Sequence, residues 1–220
     1  MQNKPEYTRM LPHYHPLGAT FFVTFRLYGS LPKSFLDELS AWYNCELERI
    51  EQKLPGTERP TALAYLQRDY FHRLDRALDQ CLHGPMVLSR PDVASEVVGQ
   101  LNRFDGEYYH LQGYTILSNH CHVLLDFSAQ ADSVGQVDVA TYKNLDYVMQ
   151  RIKGASARAI NLILESTGTP FWQREYHDRY IRHHRHLLAA VDYLKQNPVS
   201  AGLCSHWREH PFTWIHEQFW

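Results

Sequence analysis

Residues 113–127, GYTILSNHCHVLLDF, decide how the rest of this chain is read. Ser118-Asn119 has the composition of a tight turn. The residues that follow, 120–127, are apolar apart from two histidines and an aspartate. On a strand, alternate side chains share a face. Cys121, Val123, Leu125 and Phe127 then point into a core, and His120, His122 and Asp126 point the other way. Two imidazoles stand side by side on the open face of a buried strand. That ligand type and spacing suit a divalent-metal site. An isolated HxH is more often just the polar side of a half-exposed strand, so the remainder of the chain has to decide.

Composition sets broad limits. With 44% hydrophobic and 21% charged residues, the 220-residue chain has the make-up of an ordinary globular protein and can bury one core. A net charge of −2 gives no global sign of a polyanionic partner. Basic residues nevertheless gather in 143–185, where Lys143, Arg151, Lys153, Arg158, Arg174, Arg179, Arg182 and Arg185 could form a local basic face. Cys45, Cys81, Cys121 and Cys204 are scattered without a CxxC, which fits a reducing compartment. Residues 1–16 lack a signal-peptide pattern and no apolar run reaches the length of a membrane span, so a cytoplasmic protein with no membrane partner is expected.

Taken in order, residues 1–16 read as an irregular arm with His13 and His15 at the surface. Residues 18–27, GATFFVTFRL, form the clearest strand, alternating and rich in β-branched and aromatic side chains. Helices are expected over 35–54, capped by Ser34, and over 61–82; together they look like a hairpin inserted at 34–82 in a single domain of residues 1–220. A third helix follows over 91–102, then strands over 107–117 and 120–127, then a polar loop over 128–140. The spacing of Leu145, Val148, Met149, Ile152, Ala159 and Ile163 predicts an amphipathic helix over 143–165. Residues 171–181 read as an edge strand, with His177 and Asp178 as surface residues, and 186–196 as a helix stopped by Asn197-Pro198. Residues 207–220 form an aromatic tail that packs back on the body. The resulting strand-helix-strand-strand-helix-strand order is the ferredoxin-like split β-α-β, an α+β fold with an antiparallel sheet. In it, Thr20, Thr24 and Arg26 of the first strand flank the histidines.

On the helix from 186, Leu187, Ala190, Val191 and Leu194 make the core stripe. Tyr193 falls off that stripe beside the small Ala189 and Ala190, and Asn197 lies one turn beyond it on the same side. A lone surface tyrosine is usually amphipathic packing, and an asparagine before proline is usually a helix cap.

The combination LSNHCHVLLDF, FWQREYHDRYIR and VDYLKQNPVSAGL resembles the REP-associated tyrosine transposases, within the single-tyrosine HUH nuclease superfamily. The opening LPHYHPLGATFFVTFRLYGSLP is similar to one branch of that family. The resemblance covers most of the chain and is weakest over 34–82 and 128–140. It implies that His120 and His122 are metal ligands, with Cys121 where a bulkier hydrophobe is usual and Ser118 where proline is frequent. It implies Asn197 as the third ligand, Tyr193 as the nucleophile, and Mg²⁺ or Mn²⁺ as the cofactor. Trp172 and Gln173 match the family's WQ pair, in a structural or DNA-contacting role. The implied substrate is single-stranded, hairpin-forming DNA, cleaved through a 5′-phosphotyrosine. Arg26, Arg151, Lys153, Arg158 and Arg182 are the candidate DNA contacts. A monomer or homodimer associated with the nucleoid is the implied setting. Two other readings use the same residues: a catalytically silent hairpin-binding protein of this fold, and a zinc hydrolase, which the lack of an HExxH-like motif disfavours.

Overall fold

The computed structural model describes residues 6–8, 12–80 and 82–220. The chain divides into two compact units: Met1–Tyr28 with Met86–Trp220, and Gly29–Pro85.

The larger unit is built on a five-stranded antiparallel sheet. Its strands are β3 (Thr20–Arg26), β4 (His110–Ile116), β5 (His120–Asp126), β6 (His177–Tyr180) and β7 (Thr213–Ile215), ordered β6-β3-β5-β4-β7. Ahead of them β1 (Glu6–Thr8) and β2 (Pro12–Tyr14) pair as a separate two-stranded ribbon. With α3 (Pro91–Arg103) between β3 and β4, and α4 (Leu145–Ile163) between β5 and β6, the first four sheet strands have the ferredoxin-like connection and order. The α+β, antiparallel fold expected from the sequence is the fold observed.

One face of the sheet carries the core. Phe21, Val23 and Phe25 of β3 and Cys121, Val123 and Leu125 of β5 pack with Val93, Val97 and Leu101 of α3 and Val148, Met149 and Ile152 of α4. α4 starts where Asn144 caps it, its side chain accepting from the Tyr147 N–H. The other face lies under α5 (His184–Ser200), which packs on β4, β5 and β7. This face is not open, and His120 and His122 are both fully buried. The alternation assigned the right side chains to each face, but the covering by a later helix was not in it.

Several local expectations need correction or refinement. α5 runs through Pro198 to Ser200 instead of stopping before it. A proline removes one donor, and here it falls within a turn of the end. The stop is supplied by Gly202 at φ 70°, with the N–H groups of Gly202 and Leu203 donating to the carbonyls of Val199 and Pro198. Ser34 does not cap α1 (Lys33–Lys53); Pro32 occupies that position. The tail contributes a strand, β7, on the free edge of β4. In the arm, residues 12–14 are extended in β2, and His15 is not at the surface. It is buried, edge-on to Phe21, and its Nε2 meets Asp178 Oδ2 at 2.8 Å. Asp178 is thus an internal partner, its side chain only 3% exposed. The side chain of His13 and the residue Cys81 lie outside the described residues, among which Cys45, Cys121 and Cys204 are free thiols.

The second unit contains the hairpin of α1 and α2 (Arg59–Asp79). Tyr43 and Tyr70 meet edge-to-face at 5.3 Å, and the Arg73 guanidinium lies 4.0 Å above the Trp42 ring. Asp79 near the end of α2 has its carboxyl pushed up to about 6 by burial.

Gly113 is the tightest point under α5. A Cβ there would stand 2.9 Å from Ile215 Cδ1, 3.0 Å from Leu194 Cδ1 and 3.1 Å from the Trp214 carbonyl oxygen. β4, β7 and α5 converge on the missing side chain. Gly113→Ala is expected to destabilise the protein by about 1–3 kcal/mol through overpacking, read as a lower denaturant midpoint. An unchanged midpoint would show that α5 does not seat tightly on β4.

Candidate functional site

β5 and β3 pair in a register that sets Thr24 opposite His122 and Arg26 opposite His120. The four side chains occupy one face, as the alternation of both strands requires. His120 and His122 approach through their outer nitrogens, Nε2 to Nε2, at 3.0 Å. Their inner nitrogens are held from behind. His120 Nδ1 lies 2.6 Å from Asn119 Oδ1, and His122 Nδ1 lies 2.7 Å from Thr24 Oγ1. Phe22 stacks against the His122 ring at 5.4 Å.

α5 brings in the other two residues. Tyr193 and Asn197, one turn apart, share the side of α5 that meets β5. The Asn197 amide nitrogen lies 3.2 Å from His122 Nε2. The Tyr193 ring stands edge-on to His122 at 5.5 Å and to Phe22 at 5.7 Å, and its side chain is partly exposed. Asn197, in contrast, is buried, and among the described residues its Oδ1 meets no hydrogen-bond donor. The ends of an amide have nearly the same shape, so half a turn would place Oδ1 where Nδ2 now faces His122.

The electrostatics suit ligand chemistry. Burial pulls the His120 pKa down to about 3, and burial together with the neighbouring His120 pulls His122 well below its usual value. Both imidazoles are therefore neutral at physiological pH, the form in which a nitrogen lone pair can bind a cation. An octahedral ion with bonds of about 2.1 Å has cis ligands about 3.0 Å apart. The His–His and His–Asn separations of 3.0 and 3.2 Å match that edge. The orphaned Asn197 oxygen is an acceptor without a donor, as expected of a group that meets a cation. Two buried histidines and this amide could hold a divalent ion.

The remaining candidates separate. Arg26 is buried beside His120 in the strand register. Arg182 is exposed just ahead of α5. Arg151, Lys153 and Arg158 lie on α4, across the sheet from the histidines. Arg151 bonds the Tyr147 hydroxyl at 3.0 Å, and Lys153 donates to the carbonyls of Gln173 and Arg174 at 2.8 and 2.7 Å. The Trp172 indole is in the core between Phe25 and Phe171, donating to Ser156 Oγ at 3.0 Å. Gln173 continues that segment, its N–H donating to the Arg26 carbonyl at 2.9 Å. Of the residues holding the two imidazoles, Asn119 was not singled out by sequence reasoning; a turn composition concealed it. The available signal was an amide directly preceding the first histidine.

No family model matches the sequence, and no curated protein matches it. Among solved structures the chain matches a REP-associated tyrosine transposase determined bound to a REP hairpin. The match has a TM-score of 0.50 and 15% identity, and covers 94% of this chain and 81% of that one. The two proteins share a fold. At that identity the likeness is one of fold.

Both site histidines have folded-state pKa values below the unfolded value of about 6.5, so the unfolded chain binds protons first. Their contribution to stability is present above pH 6.5 and is lost as pH falls below it, at up to about 1.4 kcal/mol per pH unit for each group. In chelator, the denaturant midpoint should drop between pH 7 and pH 5. A His120→Gln, His122→Gln double variant should show a flatter profile over that range. Equal slopes for the two proteins would mean that the imidazoles are not neutral in the fold.

Proposed function

We propose that this protein is a metal-dependent, single-stranded DNA endonuclease and strand transferase that acts on hairpin-forming DNA. The observation that carries the reading is the convergence of Tyr193 and Asn197, one turn apart on α5, on the His120–His122 pair of β5. The fold of a tyrosine transposase solved with a REP hairpin supports the substrate class.

In this reading the Tyr193 hydroxyl is the nucleophile. Its oxygen bonds to a DNA phosphorus while the bond to the 3′ oxygen breaks. The phenol loses its proton, the leaving oxygen gains one, and the products are a 5′-phosphotyrosine and a free 3′-OH. Attack by another 3′-OH reverses the step and joins strands, with the phosphodiester energy conserved in the tyrosine link. A tyrosine with a pKa near 10 is a weak nucleophile by itself. A bound Mg²⁺ or Mn²⁺ would supply charge to the scissile phosphate and help orient it for in-line attack. His120, His122 and Asn197 would hold that ion, and the edge contacts to His122 and Phe22 restrict where Tyr193 can point. Arg182, exposed just ahead of α5, is the candidate basic residue best placed to meet the DNA backbone, whereas Arg26 is buried. Among the described residues no helix is long and apolar enough to cross a membrane, compatible with a protein working on DNA at the nucleoid.

The complete burial of His120 and His122 favours one other reading, a hairpin-binding protein of this fold that does not turn over.

One assay separates the two. Hairpin oligonucleotides from the source genome's own repeats, labelled at either end, are incubated with wild type and Tyr193→Phe in Mn²⁺, Mg²⁺ or chelator. Cleavage and a covalent protein–DNA band that require metal, both abolished in Tyr193→Phe, are expected. Tight binding without cleavage in any metal would support the silent reading. Cleavage surviving in Tyr193→Phe would show that the nucleophile is a different group.

A further inference from the structure

The two histidines are held by chemically different neighbours. Asn119 Oδ1, 2.6 Å from His120 Nδ1, can only accept a hydrogen bond. The His120 proton therefore sits on Nδ1, and its Nε2 carries a lone pair. Thr24 Oγ1, 2.7 Å from His122 Nδ1, belongs to a hydroxyl that can either donate or accept. Between the two rings, an Nε2–Nε2 contact of 3.0 Å needs one hydrogen, because two lone pairs at that distance repel. With the His120 proton on the far side of its ring, that hydrogen belongs to His122 Nε2, and Thr24 donates to His122 Nδ1. A cation held by both Nε2 atoms requires the other tautomer of His122. Its Nε2 must then be bare, with Nδ1–H donating to Thr24.

We infer that Asn119 and Thr24 are positioning residues for the metal pair, acting in different ways. Asn119 fixes His120 permanently in the tautomer that can bind a cation. Rotation of the Thr24 hydroxyl allows His122 to exchange tautomers when the cation arrives. Water entering with the cation takes the proton from Nε2 and returns one to Nδ1, so the charge of the ring does not change. Thr24 is 1% exposed and Asn119 fully buried, which keeps water from substituting for either partner. The Asn197 amide can follow the same exchange. With Nδ2 turned away from the His122 Nε2 that it now faces at 3.2 Å, its Oδ1 would accept from His122 Nε2–H in one state and meet the cation in the other. This inference rests on the metal reading given under the proposed function and concerns the residues that prepare the site for the ion.

Two measurements test it. Long-range ¹H–¹⁵N spectra of protein labelled at histidine report the tautomer of each ring, in chelator and in Mg²⁺. His120 should be Nδ1–H in both conditions, whereas His122 should change from Nε2–H to Nδ1–H. Mn²⁺ affinity, measured by electron paramagnetic resonance, should fall roughly 10- to 100-fold in Thr24→Val and recover in Thr24→Ser, with thermal melts confirming that each variant folds. His120 found as Nε2–H, or Thr24→Val binding Mn²⁺ as tightly as wild type, would overturn the inference. Failure of wild type to bind Mn²⁺ at all would instead overturn the metal reading beneath it.

Discussion

Two neutral imidazole nitrogens held 3.0 Å apart out of water form an arrangement that is stable only when something positive lies between them. A single hydrogen or a cation can serve. The rest of the site follows from this requirement. The inner nitrogens are engaged so that the outer ones face each other, the covering helix supplies an amide in place of an apolar side chain, and charge on the rings is suppressed by burial. Replacing the pair with aliphatic side chains would make an easier core. That the chain retains polar groups here, each held by a specific partner, is the physical argument for function.

The covering helix is held with corresponding care. Leu194 enters the space left by Gly113, while Ala190 and Val191 complete its buried stripe. Lys195 donates to the Phe219 carbonyl at 2.8 Å, tying the helix to the end of the chain. Tyr193, between these anchors, keeps an exposed edge. Its ring is held edge-on to His122 and Phe22.

Much of this was legible in the sequence where the pattern was long and periodic. The alternation in β3 and β5 gave the faces and the core residues. The expected topology placed Thr24 and Arg26 beside the histidines correctly, but Thr20 pairs with Asp126 instead. α4 announced itself by its stripe, although Ile163 is exposed and Ile160 is buried. What escaped did so for identifiable reasons. β7 is a three-residue strand in a tail already crowded with aromatics, too short for alternation to show. Pro198 suggested a stop, but the backbone tolerated it so close to the helix end. Lys153 looked like a free cation until its partners, two carbonyls of a segment twenty residues away, were in place. The burial of His15 depended on Asp178, 163 positions later, and no local pattern encodes that distance. The sequence motifs grouped His120, His122, Tyr193 and Asn197 through family likeness; the fold brings these same residues together.

The order of the strands has a mechanical consequence. β6 and β7 are the two outer edges of the sheet, and α5 is the segment of chain that joins them. The tyrosine helix is thus a strap drawn from one border of the sheet to the other across the histidine face. It packs on β7 as well as on β4 and β5, so lifting it would also uncover the edge strand. A trade of helix and edge strand together between two molecules would open the outer rim of β4. The outer rim of β4 would then wait for the neighbour's strand to restore its hydrogen bonds.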